Sequence, residues 1–492
     1  PASALVVLVT VVAGALVLPT TQLVRTGQEA IASALYVQNW ALAASATDYL
    51  AAEDPPTALR HYWSLAVEEQ FYLLWPVLVA LALLVTRARR RGADDPRRRP
   101  GTDDVRPGLV AEGVIVPVVA LASLAWSARL TAVDPASAYF VTTTRAWELA
   151  IGGALAVAVA AAPRAAVPAR WSAALAGGGL AAILAAVVAF DGATAFPGTA
   201  ALLPTLGTIA VIAAAAPDRS WSGRLLGSRP AQVLGDVSYS TYLWHWPLIV
   251  LLPFAVHRRL LWWELVAVAL GSVALAWLTT RHVEDPVRRS KRLAGSAALT
   301  AGLLVACTAS GALAGVALIR AAEARSEREA SAAAAAAAAA DPDCFGAASV
   351  LSGADCSGAP PAGELWTTPD QAAADRPVLY ADGCWNDPPF DSRTTCTYGP
   401  GDAEVRVAVV GNSHAGHWFP VLESVAADRG WQITTYVASS CYPVDLPLAY
   451  PDPAATEGCS DWNAWVGEEL TSQDYDLVVM SARTNQHLAD VP

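Results

Sequence analysis

The sequence predicts a polytopic α-helical membrane bundle followed by an α/β domain outside the membrane. Of the 492 residues, 54% are hydrophobic and only 15% are charged, whereas about 25% charge is usual in a soluble protein. Several apolar runs reach the roughly 20 residues that cross a bilayer. Six of the seven cysteines lie beyond residue 343, where these runs have ended and acidic residues outnumber basic ones.

Nine apolar segments are expected to form membrane helices. Their approximate ranges are 2–18, 63–86, 109–128, 144–162, 172–190, 199–216, 235–256, 261–279 and 296–319. The loop 87–106 holds the strongest basic cluster of the chain, and cytoplasmic loops carry an excess of basic residues. With that loop inside, alternation also places the basic loops 219–229 and 281–292 inside. The whole chain is then expected to cross the cell membrane many times, and the part beyond about residue 320 is expected to lie outside it.

We expect residues 1–319 to form the membrane domain, 320–343 a linker and 344–492 the outer domain. The linker passes from an Arg/Glu-rich stretch into an alanine tract, a composition that favours a helix without a core pattern. Residues 19–62 form a long outer loop whose half-apolar stretch is expected to be interfacial or re-entrant. Pro1 stands inside an apolar run with no Met or charged leader before it, so we expect the chain to be a fragment.

Residues 61–76 bring polar groups into a long apolar run. At about 100° per residue, His61, Ser64, Glu68 and Tyr72 fall on one side of a helix. Ionisable side chains inside a membrane helix are costly and usually mark a functional site in a bundle interior or a wet cavity. The alternative is a helix-entry cap with solvated acids near a helix N-terminus.

The segment reads H-x-W-S-L-x-x-E-x-Q-F-Y-L-x-W-P. It resembles the hallmark segment of the acyltransferase-3 family, integral membrane enzymes that acylate glycans. The resemblance implies Glu68 and His61 as catalytic residues. It implies supporting roles for Trp63, Ser64 and Tyr72.

Two further segments are similar to patterns of the same family. Arg145 and Glu148 belong to an R-x-W-E-L segment and are neighbours on one helix face, where we expect them to shape the cavity; the alternative is a plain intrahelical ion pair. His245 lies in a segment similar to S-Y-x-x-Y-L-x-H-x-P and is expected near mid-membrane as a supporting residue. The alternative for His245 is a buried, hydrogen-bonded structural histidine.

Acyl transfer to a sugar hydroxyl needs a base for the hydroxyl proton and a group that stabilises charge on the thioester carbonyl. The resemblance implies acetyl-CoA or another acyl-CoA as donor and a glycan as acceptor. In the family, the essential histidine and the arginines for the donor lie in helices that would precede Pro1. His61 therefore matches the motif without being assigned as that base, and we expect the chain as given to be inactive.

Residues 404–410 read as a short buried strand, followed by Gly411-Asn412-Ser413-His414-Ala415 and a helical pattern to about residue 428. A serine on a strand-to-helix turn is exposed beside helix N-terminal amides, which suits a nucleophile with an oxyanion hole. The alternative is a serine that only caps the helix.

The G-[DN]-S-H-A pattern resembles the first block of the SGNH hydrolase family, whose fused form follows acyltransferase-3 domains. The resemblance implies a three-layer, flavodoxin-like fold with Ser413 as nucleophile, and Asn412 stands where aspartate is usual. Asn485 is the candidate for the family's Asn-bearing loop after a later strand. The D-x-x-H block that supplies the base is expected beyond Pro492.

Six cysteines in a region expected outside the membrane predict a disulfide framework, because oxidation is the default there. No C-x-x-C pair occurs, so zinc is disfavoured and no metal is expected. Among the possible connectivities we choose sequential pairing: Cys344–Cys356, Cys384–Cys396 and Cys441–Cys459.

The sequence thus predicts a membrane O-acyltransferase, most simply an O-acetyltransferase, that moves an acyl group from cytoplasmic acyl-CoA to a cell-surface or cell-wall glycan. The outer domain would complete or edit the transfer. One alternative is a membrane-tethered esterase, although nine helices with buried His, Glu and Arg exceed what an anchor needs. A glycan or lipid transporter is less favoured, because no paired repeats with broken helices are evident. The acidic outer part argues against a nucleic-acid partner.

Overall fold

The computed structural model describes residues 1–46, 56–91, 106–161, 167–192, 194–214, 220–339, 344, 367–450, 452–484 and 488. It divides into two compact units, Pro1–Trp366 and Thr367–Pro492. Cys356 and Asn485 lie outside the described residues. The predicted domain boundaries, with a linker over 320–343, stay a prediction.

The first unit is a bundle in which a helix occupies each of the nine apolar segments. Among the described residues, six helices are long and apolar enough to cross a membrane. The helices are α1 (Ala2–Val17), α2 (Thr20–Ala34), α3 (Gln38–Ala46), α4 (Tyr62–Arg91), α5 (Arg106–Val133), α6 (Pro135–Phe140), α7 (Thr142–Ala161), α8 (Ala169–Ala189), α9 (Leu202–Ala214), α10 (Trp221–Leu226), α11 (Arg229–Asp236), α12 (Ser238–Ala255), α13 (Trp262–Thr279), α14 (Asp285–Arg288), α15 (Lys291–Ala294) and α16 (Ala297–Ala339), with a π-helical turn (Thr280–Glu284) between α13 and α14.

The outer surface of the bundle is apolar. Leu16, Leu73 and Val188 are 81%, 72% and 79% exposed. Surfaces of this kind are expected where lipid tails rather than water surround the protein, since lipid is as apolar as leucine. The exposed apolar faces therefore agree with a bundle that crosses a membrane.

The long loop before α4 contains a helical hairpin, formed by α2 and α3. Its turn includes Tyr36, whose φ of +55° is left-handed. The Gln70 side chain donates a hydrogen bond from Nε2 to the Tyr36 carbonyl at 2.8 Å, which ties the turn to α4. Leu23 and Ala30 of α2 belong to the buried core of the bundle. The hairpin is therefore part of the bundle and not a surface loop.

Glycines bring the backbones of α2 and α16 into direct contact. A Cβ atom at Gly315 would lie 2.5 Å from the Gly27 carbonyl oxygen, and a Cβ at Gly311 would lie 2.9 Å from the Ala34 Cβ. Gly311 and Gly315 form a G-x-x-x-G pair, the spacing that lets membrane helices approach closely. The same helix continues without a break through the alanine tract to Ala339, so the hairpin packs on a helix that extends past the membrane segment.

We predict that Gly315→Val lowers the thermal stability of the bundle, because the new side chain would push α16 away from α2 at a cost of about 1–3 kcal/mol. The matched control is Gly302→Val on the same helix, where a Cβ meets nothing within 4 Å. Thermal unfolding of both variants in detergent is the measurement. Equal melting temperatures for the two variants would contradict the close contact.

The second unit is a small mixed sheet with helices on both faces. Its elements are α17 (Pro369–Ala374), α18 (Val378–Ala381), β1 (Cys396–Tyr398), β2 (Arg406–Gly411), α19 (Ser413–Arg429), β3 (Gln432–Val437), α20 (Pro453–Ser472) and β4 (Leu477–Ser481). The strand order is β1-β3-β2-β4, with β2 parallel to both neighbours and β1 antiparallel to β3. In the described residues no strand pairs with the other side of β4.

The central strand β2 is buried on both faces, which explains its continuous apolar sequence. Val407 and Val409 pack in one cluster with Phe419 of α19. Ala408 and Val410, which alternate with them, pack in another cluster with Trp462 of α20. The unit therefore has three layers, helix on sheet on helix, in agreement with the predicted α/β fold class.

Disulfide bonds hold two loops of this unit. Cys384 is bonded to Cys396 and Cys441 to Cys459. Cys344 is also disulfide-bonded; its predicted partner lies outside the described residues. Cys307, in the membrane segment of α16, is free.

Candidate functional site

Helix α4 begins in the interior of the bundle. Ala58 and Leu59, just before it, are completely buried, and Trp246 Nε1 of α12 donates a hydrogen bond to the Thr57 carbonyl at 2.8 Å. His61 is the last residue before the helix and is only 6% exposed. The first polar group of the hallmark segment is therefore deep in the protein and not at a solvated helix entry.

Of the two ring nitrogens of His61, one is hydrogen-bonded and the other has no hydrogen-bond partner among the described residues. The Nε2 atom lies 3.2 Å from the carbonyl oxygen of Leu243, and a carbonyl can only accept, so Nε2 carries the proton. The other nitrogen, Nδ1, has no hydrogen-bond partner among the described residues. It keeps its lone pair, and a neutral histidine in this tautomer can accept a proton at Nδ1.

The two histidine-bearing segments meet around this ring. Tyr242 of α12 donates a hydrogen bond from its hydroxyl to the His61 carbonyl at 2.6 Å, and the same hydroxyl is hydrogen-bonded to Ser64. His245 donates from Nδ1 to the Tyr242 carbonyl at 2.6 Å, and its ring centre lies 5.8 Å from that of His61. His61, Ser64 and His245, named from sequence in two separate segments, are thus neighbours.

A cavity of about 680 Å³ adjoins His61. It lies where α2, α3, α4, α6 and α12 meet the loop that follows α8. The walls carry arginine, histidine and aromatic side chains. The lining residues are Arg25, Leu42, Ser45, Arg60, His61, Trp63, Pro135, Ala136, Tyr139, Phe140, Asp191, Gly192, Thr194, Phe196 and Trp246.

Arg145 is buried behind the aromatic wall of this cavity. Its guanidinium lies 5.2 Å from the ring centre of Trp63, 5.0 Å from that of Tyr139 and 4.7 Å from that of Phe196. It also forms an ion pair with Glu148 at 3.0 Å. The sequence analysis offered two interpretations of Arg145, an intrahelical ion pair and a role in shaping the cavity. The structure contains the contacts of both, because Arg145 pairs with Glu148 and also contacts three rings that line the cavity.

The remaining candidates of α4 lie at different depths. Glu68 is half-buried one turn beyond Ser64, whereas the Tyr72 side chain is 58% exposed. The next residue to Glu68, Glu69, lines a second cavity of about 320 Å³ together with Tyr36 and other residues of α1, α12 and α16. A shared helix face therefore does not bring all four polar residues into one site.

Sequence reasoning missed the network around Gln70, which connects four elements. Besides Tyr36, its Nε2 donates to the Asn39 Oδ1 atom at 2.9 Å, and its Oε1 accepts from Thr142 and Trp40. Asn39 in turn donates to Thr142 Oγ1 at 3.0 Å. The only sequence signal was the glutamine of the hallmark segment, because its partners are far away in the chain.

In the second unit, Ser413 is the first residue of α19 and is half-exposed. It follows Gly411, whose φ is +145° and where a Cβ would lie 2.0 Å from the Ser481 carbonyl oxygen, so only glycine fits. The N-cap of α19 is Asn412, which accepts from the His414 backbone N–H at 3.2 Å. Capping therefore does not depend on the Ser413 hydroxyl.

Asn412 also fixes the loop after β4 beside Ser413. Its Nδ2 donates to the Arg483 carbonyl at 2.9 Å, and its Oδ1 accepts from the Arg483 backbone N–H at 2.9 Å. Asn412 is buried. The rings of His414 and His417 are 5.5 Å apart, and among the described residues neither hydrogen-bonds the Ser413 hydroxyl. The segment leading to Asn485 therefore begins next to the serine.

Comparison with known proteins finds a family match in each of the two units. The family model described as an acyltransferase domain matches residues 4–281, more than half of the chain. The chain belongs to the acyltransferase-3 family. A second family model, described as an SGNH domain fused to acyltransferase-3 domains, matches residues 382–492. No solved structure matches the chain.

Curated proteins named as O-acetyltransferases match about half of this chain. YrhL of Bacillus subtilis is 30% identical over 53% of this chain and 39% of its own length. The peptidoglycan O-acetyltransferase OatA of Listeria monocytogenes is 30% identical over 53% of this chain and 40% of its own length. The O-acetyltransferase OatA of Staphylococcus aureus is 26% identical over 54% and 42%. The match thus spans about two fifths of each relative.

Asn412 stands where the SGNH resemblance leads one to expect aspartate, and its two bonds to Arg483 explain why the amide suits this chain. We predict that Asn412→Asp destabilises the second unit at neutral pH by about 1–3 kcal/mol, since a carboxylate would face the Arg483 carbonyl without a proton to donate. Thermal unfolding across pH is the measurement. The deficit should shrink as pH falls towards about 4, because a protonated carboxyl regains a donor. A deficit independent of pH would refute the argument.

Proposed function

We propose that the protein is a membrane O-acyltransferase that moves an acyl group, most simply acetyl, from cytoplasmic acyl-CoA to a cell-surface glycan. The observation that carries the proposal is the buried His61, anchored through Nε2 and unpartnered at Nδ1, on the wall of the 680 Å³ cavity. The names of the aligned relatives, which include peptidoglycan O-acetyltransferases, support a glycan acceptor.

In this scheme the hydroxyl of a first acceptor, a carrier, binds in the cavity that His61 lines, and Ser413 later takes the acyl group from that carrier. Nδ1 is buried, so the wall between it and the cavity must open first. As the hydroxyl oxygen attacks the thioester carbonyl, its proton passes to Nδ1, the carbon–sulfur bond breaks, and the imidazolium returns the proton to the leaving thiolate. The Leu243 carbonyl holds Nε2–H throughout, so the basic nitrogen does not change. General base catalysis of this kind contributes about 10²–10⁴-fold to a rate.

The neighbouring polar residues would serve that histidine. Tyr242 and Ser64 hold the backbone at the start of α4, so the ring position depends on them. Arg145, with Glu148, keeps the aromatic wall in place. Glu68 remains our candidate for a catalytic carboxylate, and His245 for a supporting residue; Trp63 and Tyr72 keep their predicted supporting roles.

Charge supports the direction of transfer. Basic side chains cluster around α14 and α15, at Arg281, Arg288, Arg289, Lys291 and Arg292. Short loops rich in such residues stay in the cytoplasm. The second cavity is lined by Val287, which lies within this cluster, and by Thr300, which follows it. Phosphates of acyl-CoA would be attracted to that end, and the second unit would then lie outside the membrane.

The second unit would complete or edit the transfer through Ser413. The serine hydroxyl would attack the ester formed at the membrane site; the ester C–O bond breaks, and the carrier leaves as an alcohol that takes up the serine proton. The backbone N–H groups of residues 414–416 are already bonded to Asn412, so the Ser413 backbone N–H is the donor of the first turn that is left for the oxyanion. The acyl-enzyme would then pass its acyl group to the glycan, or water would release it. Asn485 remains our candidate for the amide of the same site.

We predict that His61→Asn lowers acetyl transfer at least about a hundredfold, because the basic nitrogen is lost. Membrane vesicles from cells expressing the full-length gene product would receive radiolabelled acetyl-CoA on the cytoplasmic face, and label in the outer glycan would be counted. The matched control is His257→Asn, an exposed histidine whose φ of +53° asparagine tolerates.

In the same assay, Ser413→Ala is expected to prevent label from reaching the glycan.

Two outcomes would count against the proposal. Transfer that persists in His61→Asn would remove the histidine from the reaction. Ester hydrolysis that depends on Ser413, with no incorporation from acetyl-CoA in any variant, would leave a membrane-tethered esterase as the better description.

A further inference from the structure

Residues 384–387 form a rigid segment in the second unit. Cys384 is held by its disulfide with Cys396. Asn386 is fully buried; its Nδ2 donates to the Thr394 carbonyl at 2.9 Å and its Oδ1 accepts from the Thr394 backbone N–H at 2.9 Å. A segment fixed in this way loses little conformational freedom when a ligand binds to it.

This segment presents an aromatic ring and a carboxylate. The half-buried Trp385 stacks on Tyr380 with ring centres 4.5 Å apart, and its Nε1 donates to the Ser439 hydroxyl at 2.6 Å. The Ser439 hydroxyl donates to the Oδ1 atom of the exposed Asp387. No described residue hydrogen-bonds Oδ2 of that carboxylate, which leaves an oriented acceptor beside the ring.

Two observations locate the ring beside Ser413. A Cβ at Gly416 would lie 3.5 Å from the Trp385 ring, and Gly416 follows Ser413 by roughly one turn of α19. In addition, β2 and β3 are parallel neighbours in register. Ser413 and Ser439, each two residues beyond the end of its strand, therefore emerge at the same edge of the sheet.

An aromatic face next to a fixed carboxylate oxygen matches the chemistry of a sugar. A pyranose ring has one face of C–H groups, which can cover an indole, and a rim of hydroxyl groups that donate to a carboxylate. A lipid acyl chain would use the ring but not the carboxylate, because it has no hydrogen-bond donor. A phosphate would be repelled by Asp387.

We propose that Trp385 and Asp387 form a sugar-binding subsite next to Ser413, which holds one saccharide unit of the acceptor while a hydroxyl of the neighbouring unit attacks the acyl-serine ester and releases the serine. The assignment rests on the glycan acceptor of the proposed function. It goes further by naming the residues that would recognise the acceptor in the second unit. The indole face of Trp385 that is turned away from Tyr380 binds the ring face of the sugar. Asp387 accepts from the hydroxyl groups, and Tyr380 and Ser439 position both.

A second exposed tryptophan provides a matched control. Trp418 also lies on α19 and is 56% exposed. Trp418 follows Ser413 by five residues, which places it about 140° from Ser413 around the helix axis. Gly416, against which the Trp385 ring lies, is about 60° from Ser413 in the opposite direction. The Trp418→Ala change removes the same side chain from an exposed place outside the proposed subsite.

The test is equilibrium binding of a soluble tetrasaccharide of N-acetylglucosamine to the detergent-solubilised protein. Trp385→Ala should weaken binding at least about tenfold, which corresponds to about 1.4 kcal/mol. Asp387→Asn, an exposed change that leaves the core intact, should weaken it several-fold. Trp418→Ala should bind as the wild type does.

The possible results test the subsite and the proposed function independently of each other. Wild-type affinity in both Trp385→Ala and Asp387→Asn overturns the subsite, as does a loss confined to Trp418→Ala or the absence of wild-type binding. If binding depends on Trp385 while the vesicle assay shows no acetyl transfer, the subsite stands and the transferase proposal fails. Asp387→Asn keeps the test decisive if Trp385→Ala does not fold.

Discussion

The hydrogen bond between His61 Nε2 and the Leu243 carbonyl is the interaction on which the membrane site depends. It exists only because α4 begins inside the bundle, where Trp246 and Tyr242 hold the chain on either side of His61. In water such a bond would exchange freely with solvent. In a buried position it fixes which nitrogen carries the proton, so a contact made for packing also determines the chemistry that the ring can perform.

Sequence reasoning found those features that depend on local pattern. Apolar runs of membrane length gave the helices, and the apolar strand with G-N-S-H-A gave the Ser413 turn. It could not find the Gln70 network, because Asn39 and Thr142 become its neighbours only through folding. Nor could periodicity separate Tyr72 from Ser64, since a helix face does not reveal which part of it meets lipid and which part meets another helix.

The two candidate sites share one physical device, in which a buried polar side chain holds distant backbone in place. In the bundle, Gln70 connects the hairpin turn to α4 and α7. In the second unit, Asn412 joins the start of α19 to the loop after β4. A buried amide offers both donors and acceptors, so a single residue can satisfy backbone groups from two segments. Replacement of either Gln70 or Asn412 would therefore lower the stability of the fold.

The open side of β4 has a practical consequence for handling the second unit. Leu477, Val478 and Met480 are between 40% and 54% exposed, and the described strands leave one row of β4 backbone groups unpaired. An uncovered apolar edge strand is a template on which another chain can add. Residues 367–492 expressed by themselves would therefore tend to self-associate through this edge, and charged substitutions there would favour a soluble monomer.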